Sequence, residues 1–278
     1  MGRFKTGLRR LTFTEPAHTG PTGEQLGPRT LLTHVRYPLA SRQAGPLPLI
    51  VFGPGFQYCD GAYADLLRSW ASAGYVVAAV NFPLSDCLTG AAATESDLVN
   101  QPGDISYVIT SMLRLSKARH GPFAGRLNPR QVAIAGQSDG GDTVAALVAN
   151  TCCRDAAVRV AIVLAGAEWP PMPGSYFGQP TPPILFVQGD ADNVNPPALS
   201  ITMYQADTRG PRFYLDLFGA GHHTPYVGDG PPEPVVARVT VDFLDRYLAG
   251  QRRAAARMRR DGHVAGVASL TSGGTLPP

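Results

Sequence analysis

The sequence predicts an α/β protein, a mostly parallel twisted sheet with helices on both faces. Three observations carry this prediction. Largely apolar runs recur at 47–52, 75–80, 158–164, 184–188 and 213–217, the pattern of buried strands. Segments with helical spacing alternate with them, and such alternation requires crossovers that cover both faces of a parallel sheet. A further apolar run, 132–135, ends in Gly136-Gln137-Ser138-Asp139-Gly140 and enters Ala/Val-rich sequence, which reads as strand, tight turn and helix.

Taken in order, residues 9–13 and 30–37 alternate as strands that pair antiparallel at one sheet edge, separated by a Pro/Gly/Thr loop at 16–29. Strand 47–52 is followed by the loop Gly53-Pro54-Gly55-Phe56-Gln57-Tyr58. A helix over 66–73 ends at Gly74 and leads to the buried strand 75–80. After a loop at 81–100, apolar Ile105, Val108, Ile109 and Met112 mark a helix over 105–118. The turn at Ser138 opens a helix over 139–150, then strand 158–164. The stretch 166–183 is too proline-rich for a helix and short for a lid. Strand 184–188, helix 197–207, strand 213–217 and an amphipathic helix over 235–248 complete one domain, 1–250. The tail, 251–278, reads as a short Arg/Ala-rich helix and a Ser/Thr/Gly-rich irregular end.

Composition bounds the function. The chain has 278 residues, 44% hydrophobic and 16% charged, and no apolar run reaches the roughly 18 residues of a membrane span. The net charge of +3 comes largely from the ends, with Arg3, Lys5, Arg9 and Arg10, then Arg252, Arg253, Arg257, Arg259 and Arg260. No nucleic-acid motif accompanies them, so solvated helix faces are expected and nucleic-acid binding is not. Cys59, Cys87, Cys152 and Cys153 make no metal-ligand spacing. They are expected as free, partly buried thiols, with a Cys59–Cys87 pairing open if the two follow neighbouring strands. No apolar core follows the basic N-terminus, so a cytoplasmic protein is expected as written, or a secreted one if the chain is trimmed.

Ser138 is the candidate nucleophile. Side chains two positions either side of a serine on such a strained turn collide with their surroundings, and Gly136 and Gly140 remove both collisions. The turn holds the hydroxyl clear of the sheet and puts the N–H of Asp139 at a helix N-terminus, where it serves an oxyanion. A serine hydroxyl also needs a histidine to take its proton and a carboxylate to orient that histidine. Both follow strands: Asp190 and Asp192 in Gly189-Asp190-Ala191-Asp192, then His222 and His223 after Phe218-Gly219-Ala220-Gly221. Ser, Asp, His is the chain order of α/β-hydrolases.

On these motifs the chain, over about residues 30–250, resembles α/β-hydrolase-fold serine esterases. The nearest likeness is the dienelactone-hydrolase-like, platelet-activating-factor-acetylhydrolase-like and polyester-hydrolase-like group. The resemblance implies Asp192, three residues after a glycine, as the acid, with Asp190 a turn or cap residue. It implies His222, at the Gly-x-Gly-His position, as the base, with His223 lining the pocket. The second oxyanion N–H falls to Phe56, in a loop that opens Phe52-Gly53 where the family commonly has His-Gly. A carboxylate at Asp139 opposes an oxyanion's charge, so this side chain is expected in solvent or paired. Phe56, Tyr58, Trp169 and Tyr226 are candidate walls of an apolar acyl pocket, against ordinary packing under long loops. The expected activity is cleavage of small carboxylic esters or lactones through an acyl-enzyme, without cofactor or metal. An acyltransferase or thioesterase/cyclase is the alternative use of the same triad.

Overall fold

The computed structural model describes residues 2–39, 45–228 and 230–273. Its centre is a nine-stranded sheet. In chain order its elements are β1 (Thr6–Glu15), the short hairpin strands β2 (His18–Thr19) and β3 (Gln25–Leu26), β4 (Arg29–Pro38), β5 (Leu47–Gly53) and α1 (Ala64–Ala73). Then come β6 (Val76–Asn81), α2 (Gln101–Lys117), β7 (Leu127–Gln137), α3 (Asp139–Ala149), β8 (Val158–Leu164) and β9 (Ile184–Gly189). The chain continues with α4 (Pro197–Ala206), β10 (Arg212–Leu217), α5 (Thr224–Val227), α6 (Pro232–Tyr247), α7 (Ala254–Asp261) and β11 (Ala268–Ser272).

The large sheet runs β1-β4-β6-β5-β7-β8-β9-β10-β11, while β2 and β3 pair only with each other. Strands β6 to β10 are parallel, and antiparallel pairs β1–β4, β4–β6 and β10–β11 finish its two edges. Alternate side chains of each strand face opposite layers. Ile50 and Phe52 pack with Trp70 of α1 and Phe243 of α6, while Leu49 and Val51 pack with Met112 of α2 and Val144 of α3. A buried hydrogen bond of 2.8 Å from Trp70 Nε1 to Thr240 Oγ1 ties α1 to α6.

Two sequence expectations change here. The irregular end of the tail contains a strand: β11 pairs with β10 from Phe213↔Ser272 to Leu217↔Ala268. Its alternating pattern is only five residues long and lies in Ser/Thr-rich sequence, too short to read as a strand alone. The thiols are also not free. Cys59 and Cys87 form a disulfide with Cα atoms 5.2 Å apart, and the adjacent Cys152 and Cys153 form another. The first joins the loop after β5 to the loop after β6, two neighbouring parallel strands whose carboxyl ends bring the cysteines together. Among the described residues no helix is long and apolar enough to cross a membrane.

Candidate active site

The sheet reverses its order at β5, which has β6 on one side and β7 on the other. In such sheets ligands bind at the strands' carboxyl ends beside this switch point. The loop after β5 and the turn after β7 both end there.

Ser138 occupies that turn with φ 55° and ψ −124°, a left-handed backbone that a non-glycine residue adopts only where its surroundings enforce it. Its N–H donates to Leu164 O at 2.9 Å and its carbonyl accepts from Asp142 N–H, so the strain is held from both sides. A Cβ on Gly136 would run into the backbone of Gly140, and one on Gly140 into the carbonyl of Gly53. The two glycines therefore let helix α3 start directly against β5. Gly55 also packs close, an added methyl lying 3.1 Å from Ser138 Cβ, which brings the Phe56 backbone beside the serine.

His222 is brought to the serine by the loop after β10. Its Nε2 is 2.9 Å from Ser138 Oγ and its Nδ1 is 2.7 Å from Asp192 Oδ2. A carboxylate only accepts, so Nδ1 carries the proton and Nε2 is left to accept from the serine hydroxyl. Both partners are buried, His222 at 5% exposure and Asp192 at 4%. Asp192 is held by four donors. Oδ1 takes the N–H groups of Val194 and Asn195, each at 2.9 Å, and Oδ2 takes Gln188 Nε2 at 2.9 Å besides His222. Asp190 is exposed and accepts the Gly219 N–H at 2.6 Å, which pins the histidine loop as a turn residue would.

The cleft around Ser138 has a volume of about 730 Å³, and Phe56, Tyr58, Trp169 and His223 line it. His223 stacks on Tyr58 with ring centroids 4.8 Å apart, and burial, with His222 beside it, lowers its pKa. Tyr226 does not line it. The ring is 2% exposed in the core beneath, and its hydroxyl donates to Val187 O at 3.0 Å. Aromatic character alone does not tell a pocket wall from a core residue in a short helix such as α5.

Asp139 also departs from expectation. The residue is 4% exposed, and its Oδ2 is buried without a hydrogen-bond partner. Burial, with Glu95 nearby, pushes it up to about 7.

Two glutamines at strand ends escaped sequence reading. Gln188 orients Asp192. Gln137, fully buried, accepts the Tyr63 hydroxyl at 2.7 Å and donates to the His222 carbonyl at 3.1 Å, while Tyr63 takes the Gly55 N–H at 3.2 Å. This chain of bonds joins the loop before Phe56 to the loop of His222. A polar residue ending an otherwise apolar strand is the one signal that marks both.

A doubly covered parallel sheet, with a strained serine at its switch point joined through a histidine to a buried carboxylate, defines an α/β-hydrolase of the serine esterase class. The model of the PETase family, described as PET hydrolase-like, matches residues 33–265, and the chain belongs to this family. It is a carboxylic ester hydrolase. Comparison with curated proteins gives no match.

Proposed function

We propose that the protein hydrolyses carboxylic esters by a two-step acyl-enzyme route, with Ser138, His222 and Asp192 as its triad. The single observation that carries the reading is the continuous hydrogen-bonded path Ser138–His222–Asp192, 2.9 and 2.7 Å long, ending on a carboxylate that also accepts from Val194 N–H, Asn195 N–H and Gln188 Nε2. His222 takes the Ser138 proton as Oγ attacks the carbonyl, and Asp192 steadies the imidazolium. The N–H groups of Phe56 and Asp139 receive the oxyanion. The imidazolium then protonates the leaving alcohol. Water, deprotonated by the same histidine, releases the acid and restores the serine. An open cleft at the carboxyl ends of the strands suits small esters and extended ones such as a polyester strand.

A fluorophosphonate probe tests the reading. Labelling is expected on Ser138 and lost, together with ester hydrolysis, in Ser138→Ala; labelling that persists in the variant would refute the assignment. We further infer an oxidising compartment as the working environment, supported by the two disulfides. This reading stands against the cytoplasmic expectation.

A further inference from the structure

The proposed reaction leaves several carboxylates around the cleft without a role. Glu95, Asp139, Asp142 and Glu168 all line it, and among the described residues no lysine or arginine does, in a chain of net charge +3. Asp139 and Asp142 are only 4% and 5% exposed. Asp142 accepts the Ala167 N–H at 2.6 Å, but Asp139 Oδ2, buried in the cleft wall, has no partner at all. A buried, unpartnered carboxylate oxygen is costly, and a ligand bearing positive charge relieves that cost. The other lining is aromatic. Phe56, Tyr58 and Trp169 line it too, and aromatic rings attract cations. Carboxylates and aromatic rings lining one cleft are the chemistry that recognises an organic ammonium group. A metal ion is a different matter, since among the described residues no group of three or more His, Cys, Asp or Glu side chains is arranged to hold one.

We propose that the cleft binds esters bearing a protonated or quaternary ammonium group, held by the carboxylates of Asp139 and Glu95 against the rings of Tyr58 and Trp169. The proposal deepens, and rests on, the esterase reading above.

The test uses matched pairs of esters that differ in charge and little in shape. Butyrylcholine against 3,3-dimethylbutyl butyrate places the charge in the alcohol part, and ethyl 4-aminobutyrate against ethyl valerate places it in the acyl part. At low ionic strength at least one cationic ester is expected to have a kcat/KM about tenfold or more above its neutral match, on the scale of one cation–π or ion contact. This ratio falls with added salt and falls again in Glu95→Gln and Asp139→Asn. Choline is likewise expected to slow fluorophosphonate labelling of Ser138 at concentrations where 3,3-dimethylbutanol does not. Ratios at or below one for both pairs, or ratios equal in the wild type and Glu95→Gln, overturn the cationic site while labelling and neutral-ester turnover keep the esterase reading. No labelling and no turnover of any ester overturns the reading itself.

Discussion

At the residue scale the most consequential side chain is Asp139, whose N–H and carboxylate pull in opposite directions. Neutral, it leaves the oxyanion unopposed; ionised, it places a negative charge beside it. Its carboxyl lies near 7 because burial disfavours the charged form and Glu95 repels it. Asp142, one turn along the same helix, Tyr63, and Tyr58, Glu168, His222 and His223 of the cleft lining are further titratable groups near it. For a neutral ester, kcat/KM is therefore expected to fall about tenfold as pH rises through about 7, the order for two partly screened charges in one site. Asp139→Asn keeps the N–H and flattens this alkaline limb in a pH–rate profile. The same shift has a stability sign. A carboxyl raised in the folded state contributes stability below its unfolded pKa and loses it as pH rises through the folded one, so the Asn variant is the less sensitive to alkali in a thermal melt. The meeting of Ser138, His222 and Asp192 was legible because each stands a few residues past a readable strand. The partner of a buried side chain was not legible: nothing in Gly136 to Gly140 says whether Asp139 meets solvent, a cation or nothing.

At the element scale the notable join lies between β4, the turn before α2, and α2 itself. Arg29, at the first position of β4 and 6% exposed, donates Nε and Nη2 to Asp104 at 2.7 Å each. It also donates Nη1 and Nη2 to Asp97 at 2.9 and 2.7 Å. Removing the guanidinium would strand two buried carboxylates. Arg29→Met is expected to cost about 3–5 kcal/mol, read as a fall in denaturation midpoint, with the double change Asp97→Asn, Asp104→Asn recovering part of it. Most helices and strands were legible to within a few residues, because α2 and α6 show their apolar period and the parallel strands are largely apolar. Arg29 was not, since a charged residue at the end of a Pro/Gly loop reads as solvated until the fold puts residues 97 and 104 beside it.

At the scale of the whole molecule, the sheet carries the site at its switch point and closes its far edge with β11. The residue just before that edge strand supports the histidine loop: Phe218 N–H, four residues before His222, donates to Val267 O at 2.8 Å. Deleting residues 263–278 is expected to abolish ester hydrolysis and to lower the melting temperature, whereas a passive tail would leave both unchanged. The parallel core could be foreseen from repeated apolar runs. Its last strand could not, because five residues of Ala-Ser-Leu-Thr-Ser are strand only by virtue of the partner they meet.

The position of that strand also bears on timing. A polypeptide is made from its N-terminus, and its domains begin to organise as they emerge. Ser138, with its elbow, and Asp192 are synthesised well before residues 268–272, and His222 waits in a loop whose backing arrives only with β11. Because a domain folds as a unit, Ser138 and Asp192 wait with His222 for the residues that back the histidine loop, and the proposed ester hydrolysis begins only when the last strand has joined the sheet.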